Sequence, residues 1–352
     1  VILYGRVPFD IIGKDNYNRC KMYIIHHIKE TRNNMAEIFK YQDKAKLIKD
    51  NVCKVIVGKD DVVELILTAV IAGGHVLLED VPGTGKTMTA KAFSKSVNAE
   101  FNRIQFTPDL LPSDVTGINY YNQKQGEFVF RKGPVFTNIL LADEINRATP
   151  RTQSALLECM EERQVTVDGT STKLEAPFIV IATENPIETA GTYELPEAQL
   201  DRFLLQLSFG YPDKNEEIEI INRFKGENPL DTLSAVCDGK EVAEMIKEAS
   251  KVYVHRSVMG YIVDIADMTR NHENVSIGVS PRGTLNMVNA VRAYAYIKGR
   301  NYVVPEDVTA IAPYVFAHRL VLKRGAKKSG LRKAVINEIL GKVQVPVEEW
   351  DK

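Results

Sequence analysis

The chain lacks several features that whole classes of protein require. Its four cysteines are widely spaced without a CxxC pair, which argues against a disulfide framework or a zinc ribbon and favours reduced thiols. Its net charge is −1, so no overall basic character points to nucleic acid or an anionic membrane. The longest apolar stretch, residues 65–78, contains Gly73, Gly74 and His75 and falls short of the roughly 20 residues that span a bilayer.

What is present fits a folded protein of ordinary composition. Hydrophobic residues make up 44% of the 352 residues and charged residues 26%, which excludes wholesale disorder and fibrous folds. The length predicts two domains. The opening sequence VILYGRVPFD has no basic stretch followed by an apolar segment, so we expect no signal peptide and a cytoplasmic location.

The first 34 residues differ from the remainder of the chain. They contain six basic and three acidic residues and show neither helical nor strand periodicity, whereas a helical pattern begins at Met35. Two interpretations remain open for this leader. Either translation of the native protein begins at Met35, or residues 1–34 form a disordered amino-terminal arm.

A phosphate-binding loop is the first chemical motif. The apolar run His75–Glu79 leads into VPGTGKT and then into a helical pattern, which is the strand–loop–helix context of a P-loop. Gly83 and Gly85 let successive backbone N–H groups face phosphate oxygens. Lys86 supplies a positive charge to the β- and γ-phosphates, and the Thr87 hydroxyl is a ligand for Mg²⁺. The alternative is a chance loop with a solvated lysine.

Two further apolar strands end in polar residues. The run 138–142 is followed by Asp143 and Glu144, and the run 178–183 is followed closely by Asn185. Ligand-binding groups lie at the carboxyl ends of strands in open α/β sheets. Asp143 is suited to hold Mg²⁺, Glu144 to activate the attacking water, and Asn185 to orient that water. The competing interpretations are loop solvation for the acids and an Asx turn for Asn185. Together the three strands predict an ATP-hydrolysing α/β core.

The ordered motifs resemble one known family. The segments LLEDVPGTGKT, GPVFTNILLADEINRA, ATENP, GTYELPEAQLDRF and SPRGTL are similar to those of the MoxR family of AAA+ ATPases, and the resemblance extends from about Met35 to the carboxyl terminus. Asp80, where the general P-loop pattern has glycine, is usual in such proteins. The resemblance implies an α/β AAA+ P-loop core, with a parallel sheet, flanking helices and hairpin inserts, followed by a small all-helical lid.

The resemblance also implies roles for the motif residues. Lys86 and Thr87 look like the Walker A pair, Asp143 and Glu144 like the Walker B pair, and Asn185 like sensor 1. The predicted cofactors are ATP and Mg²⁺, with Thr87 and Asp143 as the metal ligands. The predicted nucleotide-binding set is Val57, Gly58, Pro82, Gly83, Thr84, Gly85, Lys86, Thr87 and Met88.

Three arginines are candidates for contacting phosphate. Arg202 resembles the arginine finger that reaches a neighbouring subunit, and Arg147 is a second candidate for that role. Arg282 resembles sensor 2. Ser280 and Pro281 suit the N-cap and first position of a helix, so Arg282 falls in its first turn, where a cation is unfavourable unless an anion offsets it. For Arg202 the alternative is a surface salt bridge.

The predicted domain organisation follows from where strand signals stop. We expect the ATPase core at residues 35–210, a linker at 211–240 and the helical lid at 241–352, with the lid over the nucleotide so that Arg282 meets the phosphates. Hairpins at 164–177 and 117–133 are expected to project and contact substrates, as the resemblance implies. The alternative is that they are ordinary surface hairpins whose aromatic side chains pack back onto the core.

The resulting hypothesis is an ATPase that remodels or matures protein partners in an oligomeric ring, expected to be a hexamer. The resemblance implies a client or adaptor protein with a von Willebrand factor A domain. Two alternatives are a slow nucleotide-gated regulatory scaffold and a DNA-stimulated motor. We do not expect nucleic acid as a partner, because the basic residues between 323 and 333 are interpreted as a solvated surface, and we expect no membrane span.

Overall fold

The computed structural model describes residues 39–81, 83–185, 191–323 and 330–346. The leader predicted at 1–34 therefore lies outside the described residues. Contacts divide the chain between Lys40 and Tyr41, and the following description concerns the part from Tyr41 onward. Within the described ranges, no helix combines the length and the apolar character needed to cross a bilayer.

The strands are short and the helices carry most of the regular structure. In chain order the strands are β1 (Val76–Glu79), β2 (Phe101–Gln105), β3 (Gly117–Asn122), β4 (Glu127–Lys132), β5 (Ile139–Asp143), β6 (Gln164–Val167), β7 (Thr170–Lys173), β8 (Ile179–Glu184), β9 (Leu205–Leu207), β10 (Val275–Ile277) and β11 (Val321–Leu322). The α-helices are α1 (Gln42–Cys53), α2 (Asp60–Ile71), α3 (Lys86–Ser96), α4 (Pro112–Thr116), α5 (Pro150–Glu162), α6 (Glu197–Leu200), α7 (Lys214–Phe224), α8 (Gly239–Ala249), α9 (Arg256–Arg270), α10 (Pro281–Ile297), α11 (Pro305–Phe316) and α12 (Leu331–Lys342).

A five-stranded sheet organises the first part of the chain. Its order is β2-β5-β8-β1-β9, and every neighbouring pair is parallel. The central strands are nearly continuous apolar runs and are buried, as expected for a parallel sheet covered by helices on both faces. Since the strands are parallel, all of their carboxyl ends share one edge of the sheet and all of their amino ends share the other.

Helices cover this sheet because each presents an apolar face to it. Helix α5 buries Leu156, Leu157, Cys159 and Met160 in the same hydrophobic cluster as residues of β5 and β8. Helix α2 has Asp60 and Asp61 in its first turn, where acidic groups stabilise a helix, and is buried almost throughout its remaining length. Burial of these apolar faces, more than intrinsic helix propensity, therefore stabilises helices α2 and α5.

The helices after β9 form the second part of the structure. Helices α8 to α12 occur within the range predicted for the lid, but the lid is not purely helical: β10 and β11 pair as a small antiparallel ribbon. Runs of two and three residues are too short to show strand periodicity, so the sequence did not reveal them. Helices α1 and α2 also join this part, with ion pairs from Lys44 to Glu241 and from Lys298 to Glu64.

The predicted fold class is confirmed, namely a parallel sheet flanked by helices and followed by a helix-rich region. The boundaries at residues 210 and 241 remain a prediction, because the contacts hold everything from Tyr41 onward in one unit. Three of the four cysteines, Cys53, Cys159 and Cys237, lie in the described part and are free thiols.

Candidate functional site

The predicted phosphate-binding loop connects β1 to α3 at the carboxyl edge of the sheet. Gly83 and Gly85 have φ angles of 84° and 91°, the left-handed conformation that glycine adopts readily, and nothing lies within 4 Å of where their Cβ atoms would be. Lys86 begins α3, and its Nζ donates a hydrogen bond of 3.0 Å to the carbonyl of Asp80, at the beginning of the loop. Pro82, also predicted for this site, lies outside the described residues.

The amino end of α3 suits an anion. Its N-cap is Gly85, which has no side chain to accept hydrogen bonds from the first backbone N–H groups of the helix. Thr87 and Met88 follow in that turn and are half-buried, as is Thr84 before it. Free backbone donors, an open glycine loop and a lysine together fit a nucleotide phosphate.

Asp80 has a structural role that its sequence position did not reveal. The side chain is buried, and its Oδ2 accepts hydrogen bonds from the backbone N–H groups of Phe209 (2.7 Å) and Gly210 (3.1 Å). Its Oδ1 accepts from the N–H of Val81 at 2.9 Å. The carboxylate therefore anchors the beginning of the P-loop to the segment that follows β9, which a glycine cannot do.

The two predicted Walker B acids end β5 and have different surroundings. Asp143 is buried, and its Oδ1 accepts a 2.7 Å hydrogen bond from the hydroxyl of Thr183 on β8. That hydroxyl in turn accepts from the backbone N–H of Glu144 at 2.8 Å. Arg103 on β2 donates to Asp143 Oδ2 at 2.7 Å. Neither Thr183 nor Arg103 was predicted, because their positions depend on strand order and register.

Glu144 is held at the strand end by contacts within its own chain. Its backbone is left-handed, with φ of 56°, and its Oε2 accepts from Gln105 Nε2 (2.8 Å) and from Arg147 (3.0 Å). Arg147, one candidate for contacting a neighbour, thus pairs here with Glu144 of the same chain. Gln105 ends β2, directly beside Asp143 in the ladder, and is a further polar group that sequence reasoning missed.

The predicted sensor residue Asn185 follows β8 at the same edge and is buried. Its backbone carbonyl accepts from Asn146 Nδ2 at 3.5 Å. Burial, together with the nearby Glu79 and Glu194, raises the pKa of the preceding carboxyl, Glu184, to about 7. The carboxyl edge that carries the predicted P-loop therefore also carries several acidic groups.

Val57 and Gly58, the first residues of the predicted nucleotide-binding set, lie between α1 and α2. Gly58 has a φ of 67°, and a Cβ there would collide with the side chain of Glu216 in α7. Lys59 pairs with the same glutamate at 3.3 Å. Val57 is half-buried and Gly58 exposed. Glycine is thus required by close packing against α7.

The predicted finger, Arg202, lies at the opposite edge of the sheet. It comes between α6 and β9, shortly before that strand begins, and its Nη1 donates to the carbonyl of Leu157 in α5 at 2.7 Å. Beside it is a surface cavity of about 230 Å³, lined by Ser154, Leu157, Glu158, Glu161, Glu162, Gln199 and Arg202.

Hydrogen bonds establish that the end of α5 belongs to the amino edge. His75, just before β1, donates through Nε2 to the carbonyl of Met160 (3.1 Å) while its Nδ1 accepts from the N–H of Val180 (2.9 Å). Burial lowers the pKa of this imidazole to about 3, so it is neutral. Arg163 donates to the carbonyls of Gly73 and Phe178, which precede β1 and β8.

Arg282 lies at this amino edge too, and its contact with the phosphates stays a prediction. It is in the first turn of α10, as predicted, but it pairs with Glu161 in the last turn of α5. Strands of four to six residues separate the two edges by about 13–20 Å. The sequence could not show this, because the placement depends on how α10 packs against the core.

The two predicted hairpins are present. Strands β6 and β7 turn at Asp168 and Gly169, both with positive φ, and β3 pairs with β4 in the other hairpin. The two hairpins are linked, since Asn119 Nδ2 donates to Asp168 Oδ2 at 2.7 Å. Phe130 packs edge-on against Phe136, whereas Phe128 is 73% exposed.

The residues at the carboxyl edge fit Mg²⁺ bound together with a nucleotide. No cluster of three or more histidine, cysteine or acidic residues that would enclose a metal occurs in the described part of the chain. Mg²⁺ usually keeps several waters and binds one or two protein oxygens plus substrate phosphates. The Thr87 hydroxyl and the Asp143 carboxylate provide such oxygens, so they would hold the ion.

Comparisons with known proteins agree with this geometry. Residues 75–205 match the model of the ATPase family associated with various cellular activities (AAA), and residues 267–339 match the AAA lid domain. The chain is 50% identical over 300 residues to the uncharacterized protein YeaC of Bacillus subtilis, covering 85% of this chain and 94% of that protein.

Two further relatives extend the comparison. Chaperone MoxR1 of Mycobacterium tuberculosis is 43% identical over 303 residues, 83% of this chain and 80% of MoxR1. A crystal structure of a protein from Cytophaga hutchinsonii, assigned as an ATPase, superposes with a TM-score of 0.84 at 39% identity, over 90% of this chain and 99% of that one. The chain therefore belongs to the MoxR family of AAA+ ATPases.

Proposed function

We propose that this protein hydrolyses ATP in a ring of identical subunits and uses the cycle to remodel or mature protein partners. One observation carries the proposal: the predicted phosphate-binding and water-activating groups lie at the carboxyl edge of the sheet, whereas Arg202 and Arg282 lie at the amino edge. A single chain cannot bring both sets to one phosphate. A neighbouring chain, docked head to tail, supplies the second set.

Head-to-tail contacts between identical chains close into rings when the rotation allows it. We therefore propose a ring, with six subunits as the expected number. In it, Lys86 and the amides of the P-loop bind the phosphates, and Glu144 orients and deprotonates the attacking water with help from Asn185. Thr87 and Asp143 would hold Mg²⁺, which when bound would neutralise negative charge on the phosphates.

The arginines complete the site from the neighbouring chain. Arg202 acts as the finger on the γ-phosphate, and Arg282 contacts the same nucleotide from the lid. Both guanidiniums now have partners at their own edge, Leu157 and Glu161. A guanidinium can donate two parallel hydrogen bonds to a phosphate. In the proposed ring, each arginine therefore leaves its present partner and donates to the neighbour's nucleotide. ATP binding and subunit contact are thereby coupled.

The hairpins are the proposed contact with clients. The β3–β4 hairpin presents Tyr121 and Phe128, 54% and 73% exposed, stacked edge to face at 5.4 Å. Exposed aromatic pairs of this kind are typical of protein-binding surfaces. The name of chaperone MoxR1, a relative over most of the chain, agrees with a chaperone-like role, and a client or adaptor with a von Willebrand factor A domain is the partner class we propose.

Assembly and turnover test the proposal together. We expect ATP to convert the Glu144→Gln variant to a larger species in light scattering, and we expect wild-type turnover per chain to rise with protein concentration as subunits associate. A chain that stays monomeric with ATP and has a constant specific activity would contradict the proposal. Capture of a folded client by ATP-bound Glu144→Gln, with loss of client maturation, separates the motor from a slow regulatory scaffold.

A further inference from the structure

One buried cation is joined to the segment that carries Arg202. Arg319 follows α11, and only 2% of its side chain is exposed. Its Nε donates to Asp201 Oδ1 at 2.6 Å, and its Nη2 donates to the carbonyls of Asp201 (3.2 Å) and Phe203 (2.7 Å). Its Nη1 lies 3.3 Å from the carbonyl of Leu204. These hydrogen bonds hold the chain on both sides of Arg202.

The same pair reaches the helix that carries Arg282. Ser280, the N-cap of α10, lies with its hydroxyl 3.4 Å from Asp201 Oδ2 and also accepts from the N–H of Gly283 at 3.1 Å. Gly283 packs against the stem of Arg319, where a Cβ would come within 2.9 Å of Cδ. The amino end of α10 is therefore in direct contact with the ion pair.

The chemistry requires arginine at this position. A lysine has one charged nitrogen and cannot donate at once to a carboxylate and to carbonyls that lie in different directions, whereas the guanidinium has five N–H donors in a fixed plane. Burial lowers the pKa of Arg319 to about 10, and Asp201 opposes that decrease, so the group remains charged at neutral pH. Loss of Asp201 leaves Arg319 buried without its counter-charge.

We propose that Arg319, through Asp201 and the carbonyls around Arg202, is the positioning residue for both arginines of the amino edge. It fixes the finger turn and the start of α10 as one unit, so that Arg202 and Arg282 approach the neighbour's nucleotide together. Arg319 itself does not contact phosphate. This inference rests on the proposed function, in which those arginines act on a neighbouring chain.

The test compares Arg319→Met with Arg319→Lys and Asp201→Asn in ATP hydrolysis by the full chain. We expect Arg319→Met to bind a fluorescent ATP analogue within about twofold of wild type. We expect its kcat to decrease at least about tenfold with little change in KM, because only the trans groups are misplaced. Arg319→Lys should retain an intermediate kcat, and Asp201→Asn should resemble Arg319→Met with a smaller loss.

Subunit mixing separates positioning from a folding defect. Arg319→Met keeps its own P-loop, and Glu144→Gln keeps its own arginine edge, so mixing the two should restore turnover at hybrid interfaces. Arg300→Met is the matched control, because it breaks the buried pair with Asp307 inside the lid region, away from Arg202. That control should lower the melting temperature while kcat per folded chain stays at the wild-type value.

The inference fails if folded Arg319→Met hydrolyses ATP at a near-normal rate, or if it is inactive and mixing restores nothing. If Arg319→Met does not fold, Asp201→Asn is tested in its place, and near-normal turnover or inactivity that mixing does not restore would again contradict the inference. Arg202→Ala is measured in parallel. Normal turnover by Arg202→Ala overturns the proposed function itself. The positioning role alone is overturned if Arg202→Ala is inactive and regains turnover on mixing, while Arg319→Met and Asp201→Asn hydrolyse ATP at the wild-type rate.

Discussion

The two edges of the parallel sheet carry different halves of one proposed chemistry. At the carboxyl edge, Lys86 and the open glycine loop face a strand end where Asp143 and Glu144 are hydrogen-bonded through Thr183. At the amino edge, Arg282 is paired with Glu161 and Arg202 donates to the carbonyl of Leu157. In the proposed function, the first edge binds the nucleotide and the second acts on the nucleotide of a neighbouring chain.

The difference has a consequence for how each edge is stabilised. The carboxyl edge keeps half-buried polar groups and a helix end whose N-cap is a glycine, features that a ligand can satisfy. The amino edge is satisfied internally by His75, Arg163 and Arg319, each buried or half-buried and hydrogen-bonded to backbone carbonyls.

The largest expected effect is at the water-activating group of the carboxyl edge. Glu144→Gln removes the general base, so kcat should decrease by about 10²- to 10⁴-fold while ATP still binds. Steady-state phosphate release measures kcat, and binding of a fluorescent ATP analogue measures affinity. Loss of binding together with turnover would contradict the assignment, and Glu244→Gln, an exposed change on α8, is a control for the substitution itself.

Lys86→Ala tests binding at the same edge. It removes a charge-assisted hydrogen bond to phosphate, which is worth about 1.5–3 kcal/mol, so ATP affinity should decrease about 10- to 100-fold. Isothermal titration with a slowly hydrolysed analogue measures this. Lys91→Ala, an exposed lysine in the same helix, should leave affinity unchanged. Equal affinity for wild type and Lys86→Ala would remove the P-loop assignment.

A smaller effect is expected where the carboxyl edge is anchored. Asp80→Ala leaves the buried N–H groups of Phe209 and Gly210 without an acceptor, so the free energy of unfolding should decrease by about 2 kcal/mol. Denaturant titration measures the change. Glu79→Ala, at the neighbouring exposed position, should cost clearly less. If the two variants were equally stable, Asp80 would not be the anchor.

The smallest expected effect is the pH dependence from Glu184. Burial raises its pKa from 4.5 to about 7, so between these values the folded state keeps a proton that the unfolded state has released. Stability should therefore decrease as pH rises from about 5 to 7, with a slope of at most about 1.4 kcal/mol per pH unit. Denaturant unfolding of the nucleotide-free protein at several pH values should show a smaller dependence of stability on pH for Glu184→Gln than for wild type. An unchanged dependence would mean that Glu184 is not its source.

The sequence could predict those site residues that lie next to one another along the chain. The P-loop and the Walker B acids are contiguous motifs that follow recognisable strands, so their order and edge were predicted. Thr183, Gln105 and Arg103 were missed, because only strand order places them beside Asp143 and Glu144.

The same limit applies to the lid. The helix after Ser280 was predicted from its capping residues, and the structure has it at Pro281–Ile297. Its packing was not predictable from periodicity, so the pairing of Arg282 with Glu161 was not anticipated. Arg319 was not predicted, because none of the residues next to it in the chain indicates that its side chain is buried against Asp201.

The most direct test of the two-edge arrangement is turnover by mixed subunits. Arg202→Ala lacks a working amino edge and Glu144→Gln lacks a working carboxyl edge, so neither should hydrolyse ATP alone. In an equimolar mixture about one interface in four pairs the intact edges of both, and we predict turnover well above that of either variant. No gain at any mixing ratio, or normal hydrolysis by Arg202→Ala alone, would contradict a site shared between neighbouring chains.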